Sequence, residues 1–95
     1  MYYAVIFTSI RSEIEEGYSE MAQKMVDLAQ NQPGFIGMES ARNEIGITVS
    51  YWENLEAIQN WKNNLQHLEA QEFGKSIWYK YYKVRIAKVE REYEF

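Results

Sequence analysis

The 95-residue sequence predicts an α+β fold, an antiparallel sheet assembled in the order β-α-β-β-α-β with both helices on one face. Three observations carry this reading. Two stretches with apolar residues at helical spacing alternate with strand-like runs. The turn Asn43 to Gly46 joins two of those runs as a hairpin. Pro33-Gly34 and Gly74 fall where the helical patterns stop.

Taken in order, Tyr2 to Ile10 is a first strand, and its nearly continuous apolar character suits a strand covered on both faces. Ser12 to Gln32 follows as a helix. Ser12 and Glu15 stand at capping-box spacing, but Gly17 places the start of the regular part at Tyr18. Tyr18, Met21, Ala22, Met25, Leu28 and Ala29 form one apolar stripe, in which the methionines serve as adaptable core filler. Pro33 has no amide donor and Gly34 accepts positive φ, so this pair ends the helix. Phe35 to Arg42 and Ile47 to Trp52 are the hairpin strands. Glu53-Asn54 then supplies an N-cap for a helix from Asn54 to about Glu72, with Leu55, Ile58, Trp61, Leu65 and Leu68 on its apolar face. Lys75 to Tyr79 forms a short turn. Tyr81 to Phe95 returns to a period of two and makes a long last strand.

This order gives a ferredoxin-like βαββαβ sheet, one domain over residues 1–95, with the face away from the helices left bare. Tyr2, Ala4, Ile6, Met38 and Val84 are the residues expected there. A bare apolar sheet needs cover, and a second copy of the chain about a two-fold axis supplies it, making a homodimer the expected assembly.

Composition narrows the function. Eight Tyr, four Phe and three Trp are ample for a small core, where most of them belong, and so many rings also favour a stacking pocket or a large subunit interface. A net charge of −4 with scattered basic residues excludes a nucleic-acid partner. The absence of cysteine excludes disulfides, thiolate nucleophiles and zinc-thiolate sites. No apolar run has the length of a leader or a membrane span, so no membrane partner and a cytoplasmic location are expected. Gly-rich phosphate loops are absent, and no paired carboxylates stand at catalytic spacing. Glu13, Glu15 and Glu16 read as a solvated helix start, while Glu39 and Arg42, at odd spacing on one strand, face opposite ways.

The lone histidine, His67, lies at the edge of the second helix's apolar face. That position suits a general base or orienting donor beside a pocket, and equally a locally hydrogen-bonded surface residue. Trp61 lies on the apolar stripe itself. Trp78, Tyr79, Tyr81 and Tyr82 cluster where the chain re-enters the sheet. If the helix and this cluster face one another across a gap, they line a flat aromatic cavity; if they close on one another, they form core.

The segments PGFIGMESAR, GITVSYW, ENLEAIQNW and HLEAQEFGKSIWYKYYKVRIAKVEREY together resemble the antibiotic biosynthesis monooxygenase domain family over residues 2–95. The resemblance implies a homodimeric α/β barrel with a pocket in each subunit between helices and sheet. It also implies an oxygenase that needs no metal, flavin or haem. In that chemistry the protein binds a small aromatic or quinonoid compound and helps remove a proton, and the electron-rich carbanion reacts with O₂. His67 then becomes the candidate catalytic residue, with Trp61, Trp78 and Tyr81 as substrate-binding walls. Two alternatives stay open: a non-catalytic dimer that binds a small molecule or haem, and the haem-degrading branch of the same fold. That branch carries an Asn on the first strand and a His ten residues after the helical Trp. Here Val5 to Thr8 contains no Asn and residue 71 is Gln. His67 lies one helical turn earlier, about 6 Å along the axis.

Overall fold

The computed structural model describes residues 1–71 and 77–95, and of residues 67–71 the helical backbone alone. Strand β1 spans Tyr2–Arg11, helix α1 Tyr18–Gln30, β2 Phe35–Arg42, β3 Gly46–Trp52, α2 Leu55–Gln71 and β4 Tyr79–Val89. The sheet order is β2-β3-β1-β4 with every neighbouring pair antiparallel, which is the ferredoxin-like arrangement. The N-terminal strand is therefore central, and β2 and β4 are the edges.

Helix α1 begins at Tyr18 because Gly17 takes a left-handed conformation, φ 79°. The expected capping box does not form. Ser12 lies six residues upstream of α1, and its hydroxyl donates to the Ile77 carbonyl at 2.6 Å and accepts from the Ile14 amide. Asn54 does cap α2, its Oδ1 accepting from the Ala57 amide at 2.8 Å. Leu55, expected on the apolar stripe, is half-exposed in the first turn, whereas Ala57, Ile58 and Leu65 are buried. Leu28 of α1 is only partly buried. The side chain of Leu68 and residues 75–76 of the turn expected over Lys75 to Tyr79 lie outside the described ones; Ile77 and Trp78 form a turn, and Tyr79 already opens β4.

Directly paired residues share a face. Tyr3, Val5, Phe7 and Ser9 of β1 thus look toward the helices with Trp52, Ser50, Thr48 and Gly46 of β3. Val5, Trp52, Ala29, Ala57 and Ile58 form one core cluster with Phe35 and Met38 packed on it, and Met21, Trp78 and Tyr79 form a second. Met38 and Val84 belong to this helix-facing side, not to the bare face. A register shift between Phe35 and Gly37 adds a residue, so Phe35 and Met38 both point toward the helices and Ile36 is left exposed. Val84 pairs with Phe7 and shares its side. The opposite face carries Tyr2, Ala4 and Ile6 as expected, together with Val49 and Tyr51.

The last strand is shorter than its sequence pattern. Val89 pairs with Tyr2, the first residue of β1, and residues 90–95 lie outside the sheet. Tyr2 still donates a hydrogen bond to Glu92.

Gly34 is the tightest point between hairpin and helix. Its φ is +87°, and a Cβ there would lie 2.7 Å from that of Ala57. Its carbonyl accepts from the Glu53 amide at 2.8 Å, locking the entry of β2 to the end of β3. Gly34→Ala is expected to cost about 1–3 kcal/mol, from left-handed strain plus displacement of α2. Urea denaturation checks this, and an unchanged midpoint would disprove the fit.

Candidate functional site

The helix-facing side of the sheet is organised in rows that run across all four strands. Met38, Ser50, Val5 and Ile86 form a central row, and Arg42, Gly46, Ser9 and Tyr82 form the row at one end. Helix α2 starts near the opposite end, after β3, and runs back over this surface.

Trp61 on α2 stacks on Trp52 with ring centroids 4.8 Å apart and planes inclined by 27°. Trp52 is fully buried, and its indole N–H donates to Ser50 Oγ at 2.9 Å. The Trp61 indole N–H is also buried and has no hydrogen-bond partner among the described residues. An unsatisfied buried donor is uncommon and marks a place where a ligand oxygen or a water would be stabilised.

At the end row the rings of Phe7 and Tyr82 stack at 5.6 Å, and Tyr79 meets Phe7 edge-on at 5.5 Å. The Tyr79 hydroxyl donates to that of Tyr18 at 3.4 Å, and the Arg11 guanidinium lies over the Tyr18 ring, 3.3 Å from its centroid. Arg42 reaches across Gly46 to Ser9, with Nη2 donating to Ser9 Oγ at 2.5 Å.

Burial pushes the Tyr79 phenol well above its ordinary value near 10. The hydrogen bond to Tyr18 adds to the shift, while Arg42 and Arg11 pull against it. On the bare face, hydrogen bonds to Glu92 and Glu39 raise Tyr2, to about 12, and Tyr51 respectively. In all three cases the folded state favours the protonated phenol. The unfolded chain therefore loses its protons first as pH passes about 10, and stability falls with rising pH from there. Denaturation midpoints between about pH 8 and about pH 11 should be level at first and then decline. A flat profile throughout would contradict the buried phenol.

The structure does not gather the expected site residues at one place. Trp61 stands in the first core cluster. Trp78 is buried in the second, its indole N–H donating to the Glu16 carbonyl at 2.9 Å, which pins the segment before β4 to the start of α1. Trp78 also lines an open cleft of about 480 Å³ with Met21, Glu20 and Lys24, and neither Trp61 nor Tyr81 reaches that cleft. Tyr81 pairs with Ile10 and is half-exposed on the side of the sheet away from the helices. His67 lies on α2, six residues beyond Trp61, with its side chain outside the described residues. Sequence reasoning missed Arg42, Ser9 and Tyr82 as a group. The available signal was the two small residues, Ser9 and Gly46, interrupting otherwise apolar strands, but only the strand register puts them beside Arg42.

Comparison with known proteins agrees with this architecture. Over 93 residues the chain is 53% identical to the uncharacterized protein YqjZ of Bacillus subtilis, covering 96% of this chain and 82% of that protein. SnoaB, a cofactor-independent oxygenase from Streptomyces nogalater, superposes with a TM-score of 0.77 at 8% identity, over 96% of this chain and 95% of SnoaB. MhuD with two manganese protoporphyrin IX bound per active site gives 0.72 at 19% identity, over 98% and 99% of the two chains. Rv0793 from Mycobacterium tuberculosis gives 0.79 at 9% identity, over 99% of this chain and all of that one. At such identities the superpositions establish the fold alone. The family itself rests on the sequence: the model of the antibiotic biosynthesis monooxygenase family matches residues 1–72, and the chain belongs to that family.

Proposed function

We propose that this chain is a cofactor-independent oxygenase acting on a small planar aromatic or quinonoid compound. The observation that carries the reading is the Trp61 indole, a flat wall on the face of α2 that meets the sheet, with a buried N–H that no group among the described residues accepts from. A carbonyl or hydroxyl oxygen of a bound ring satisfies that donor and fixes the ring's orientation. His67, farther along the same helix, accepts the proton from the substrate. The resulting carbanion reacts with O₂ at carbon to give a hydroperoxide. Loss of water leaves one oxygen atom in the product as a carbonyl and the other in H₂O. The fold likeness to SnoaB supports this reading.

The working unit in this proposal is a homodimer. The sheet face away from the helices carries Ile6, Val49 and Tyr51, and no helix among the described residues covers it. Obligate interfaces of this kind bury upward of about 2,000 Å². Sedimentation at micromolar concentration is expected to give twice the 11.3 kDa chain mass, and a compact monomer would refute the assembly.

Oxygen uptake tests the chemistry. With a panel of phenolic and anthrone-type compounds, the protein should consume O₂ in proportion to substrate, with no added cofactor. Saturable quenching of tryptophan fluorescence without uptake would replace the oxygenase with a binding dimer. Ascorbate-driven loss of the haem Soret band, with catalase present, would move the chain to the haem-degrading branch.

A further inference from the structure

Arg42 is a cation that the fold holds in place and that no carboxylate among the described residues neutralises. Arg42, Gly46, Ser9 and Tyr82 stand side by side across the four strands on the helix-facing side. The two small residues in the middle let the guanidinium lie inward over the sheet, in the space that a Cβ on Gly46 would occupy. Nη2 donates to Ser9 Oγ at 2.5 Å, and Nη1 makes a long contact of 3.5 Å with the Ser9 carbonyl. Ser9 is fully buried, so its hydroxyl is a fixed anchor. These contacts use only part of the guanidinium's donor set, and no carboxylate pairs with it among the described residues.

The contrast with Arg11 is instructive. Arg11 donates to the Trp78 and Ile14 carbonyls and lies on the Tyr18 ring, so its groups are engaged in holding the fold. Arg42 also ties two strands together, β2 to β1, but through Ser9 alone. Beside it lies an aromatic floor: Phe7 and Tyr82 stack with planes inclined by 29°, and Tyr82 keeps nearly half of its surface exposed. A guanidinium fixed next to a flat, accessible ring pair matches a planar aromatic ligand carrying an anionic oxygen.

Building on the oxygenase reading above, we propose that Arg42 is a substrate-binding residue that takes an anionic oxygen on a planar aromatic ring, with Phe7 and Tyr82 as the surface against which the ring packs. The substrate class is thereby narrowed to aromatic acids, including phenols acidic enough to bind as phenolates. Ser9 is a positioning residue, acting through the guanidinium.

The test compares naphthalene carboxylate with the neutral naphthalene carboxamide, by titration calorimetry and tryptophan quenching. The carboxylate should bind about ten- to a hundredfold tighter to the natural protein, and added sodium chloride should erode that preference. Arg42→Met should bring the two affinities together. Arg42→Lys should retain part of the preference, because charge survives without the planar fork. Ser9→Ala should fall between Arg42→Lys and the natural protein. If the carboxamide binds as tightly as the carboxylate, or if Arg42→Met keeps the preference, the role of Arg42 is overturned while an aromatic site stands. A salt-insensitive preference overturns it too, without any variant. If neither ring binds the natural protein at millimolar concentration, the aromatic-site reading and this one fall together.

Discussion

His67→Ala is expected to lower turnover of a responsive aromatic substrate by about 10²–10⁴-fold and leave the fold intact, the usual consequence of removing a general base. The chemistry proposed for this chain asks the protein for one proton transfer. Carbon–oxygen bond formation then proceeds from the electron-rich ring itself, so loss of the acceptor falls on the slow step. Stability should survive because residue 67 lies beside the apolar stripe of α2 that runs through buried Ile58 and Leu65, rather than on it. Trp61→Ala makes the natural companion. Its ring is half-buried against Trp52, so losing it should weaken substrate binding more than turnover of bound substrate. If the two variants are equally destabilised and neither alters ligand binding, both residues are structural and the site lies elsewhere.

Trp52→Ala should cost about 3–5 kcal/mol, a large share of the stability available to a domain of this size. The indole has no exposed surface and forms the common wall of Val5, Ile58 and Ala57. Phe35 meets it edge-on at 5.4 Å from one side, and Trp61 stacks on it from another. Truncation therefore opens a cavity between both layers of the fold. It also strips the buried Ser50 hydroxyl of the donor that satisfies it, adding a desolvation penalty to the lost packing. Urea denaturation of Trp52→Phe, which keeps most of the ring volume, should show a smaller loss. Equal effects from the two substitutions would assign the cost to the indole N–H rather than to volume.

The fold was largely legible because period and punctuation are local. The stripe from Tyr18 to Ala29, the Pro33-Gly34 stop and the Asn54 cap each reside in a few neighbouring residues, and each is found in the structure. The errors arose where geometry is set by a partner strand. Met38 was misplaced because the extra residue near Ile36 reverses the alternation, and nothing local to the sequence marks it. The final strand was read as too long because its alternating pattern continues past the point at which β1 ends. Leu55 has the right spacing, but the first turn of α2 overhangs the sheet. The candidate site was less legible for the same reason. Tyr81 and Tyr82 are adjacent in sequence yet lie on opposite sides of the sheet, and Arg42 meets Ser9 only through two rounds of strand pairing.

The central position of β1 has a kinetic consequence. This strand precedes its neighbours in the sequence, and the segments that flank it, β3 and β4, lie about 40 and about 80 residues downstream, with the outermost pair joining Tyr2 to Val89. A nascent chain that has emerged as far as Trp52 can close the β2–β3 hairpin and dock it on β1, yet one edge of β1 stays open until residues 79–89 leave the ribosome. The sheet thus completes only once β4 has emerged, and the longest loop closure comes with that strand. A stalled or C-terminally clipped chain would present an apolar strand, Tyr2 to Ile10, with a free backbone edge. That makes such truncated products, rather than the full-length domain, the aggregation-prone species.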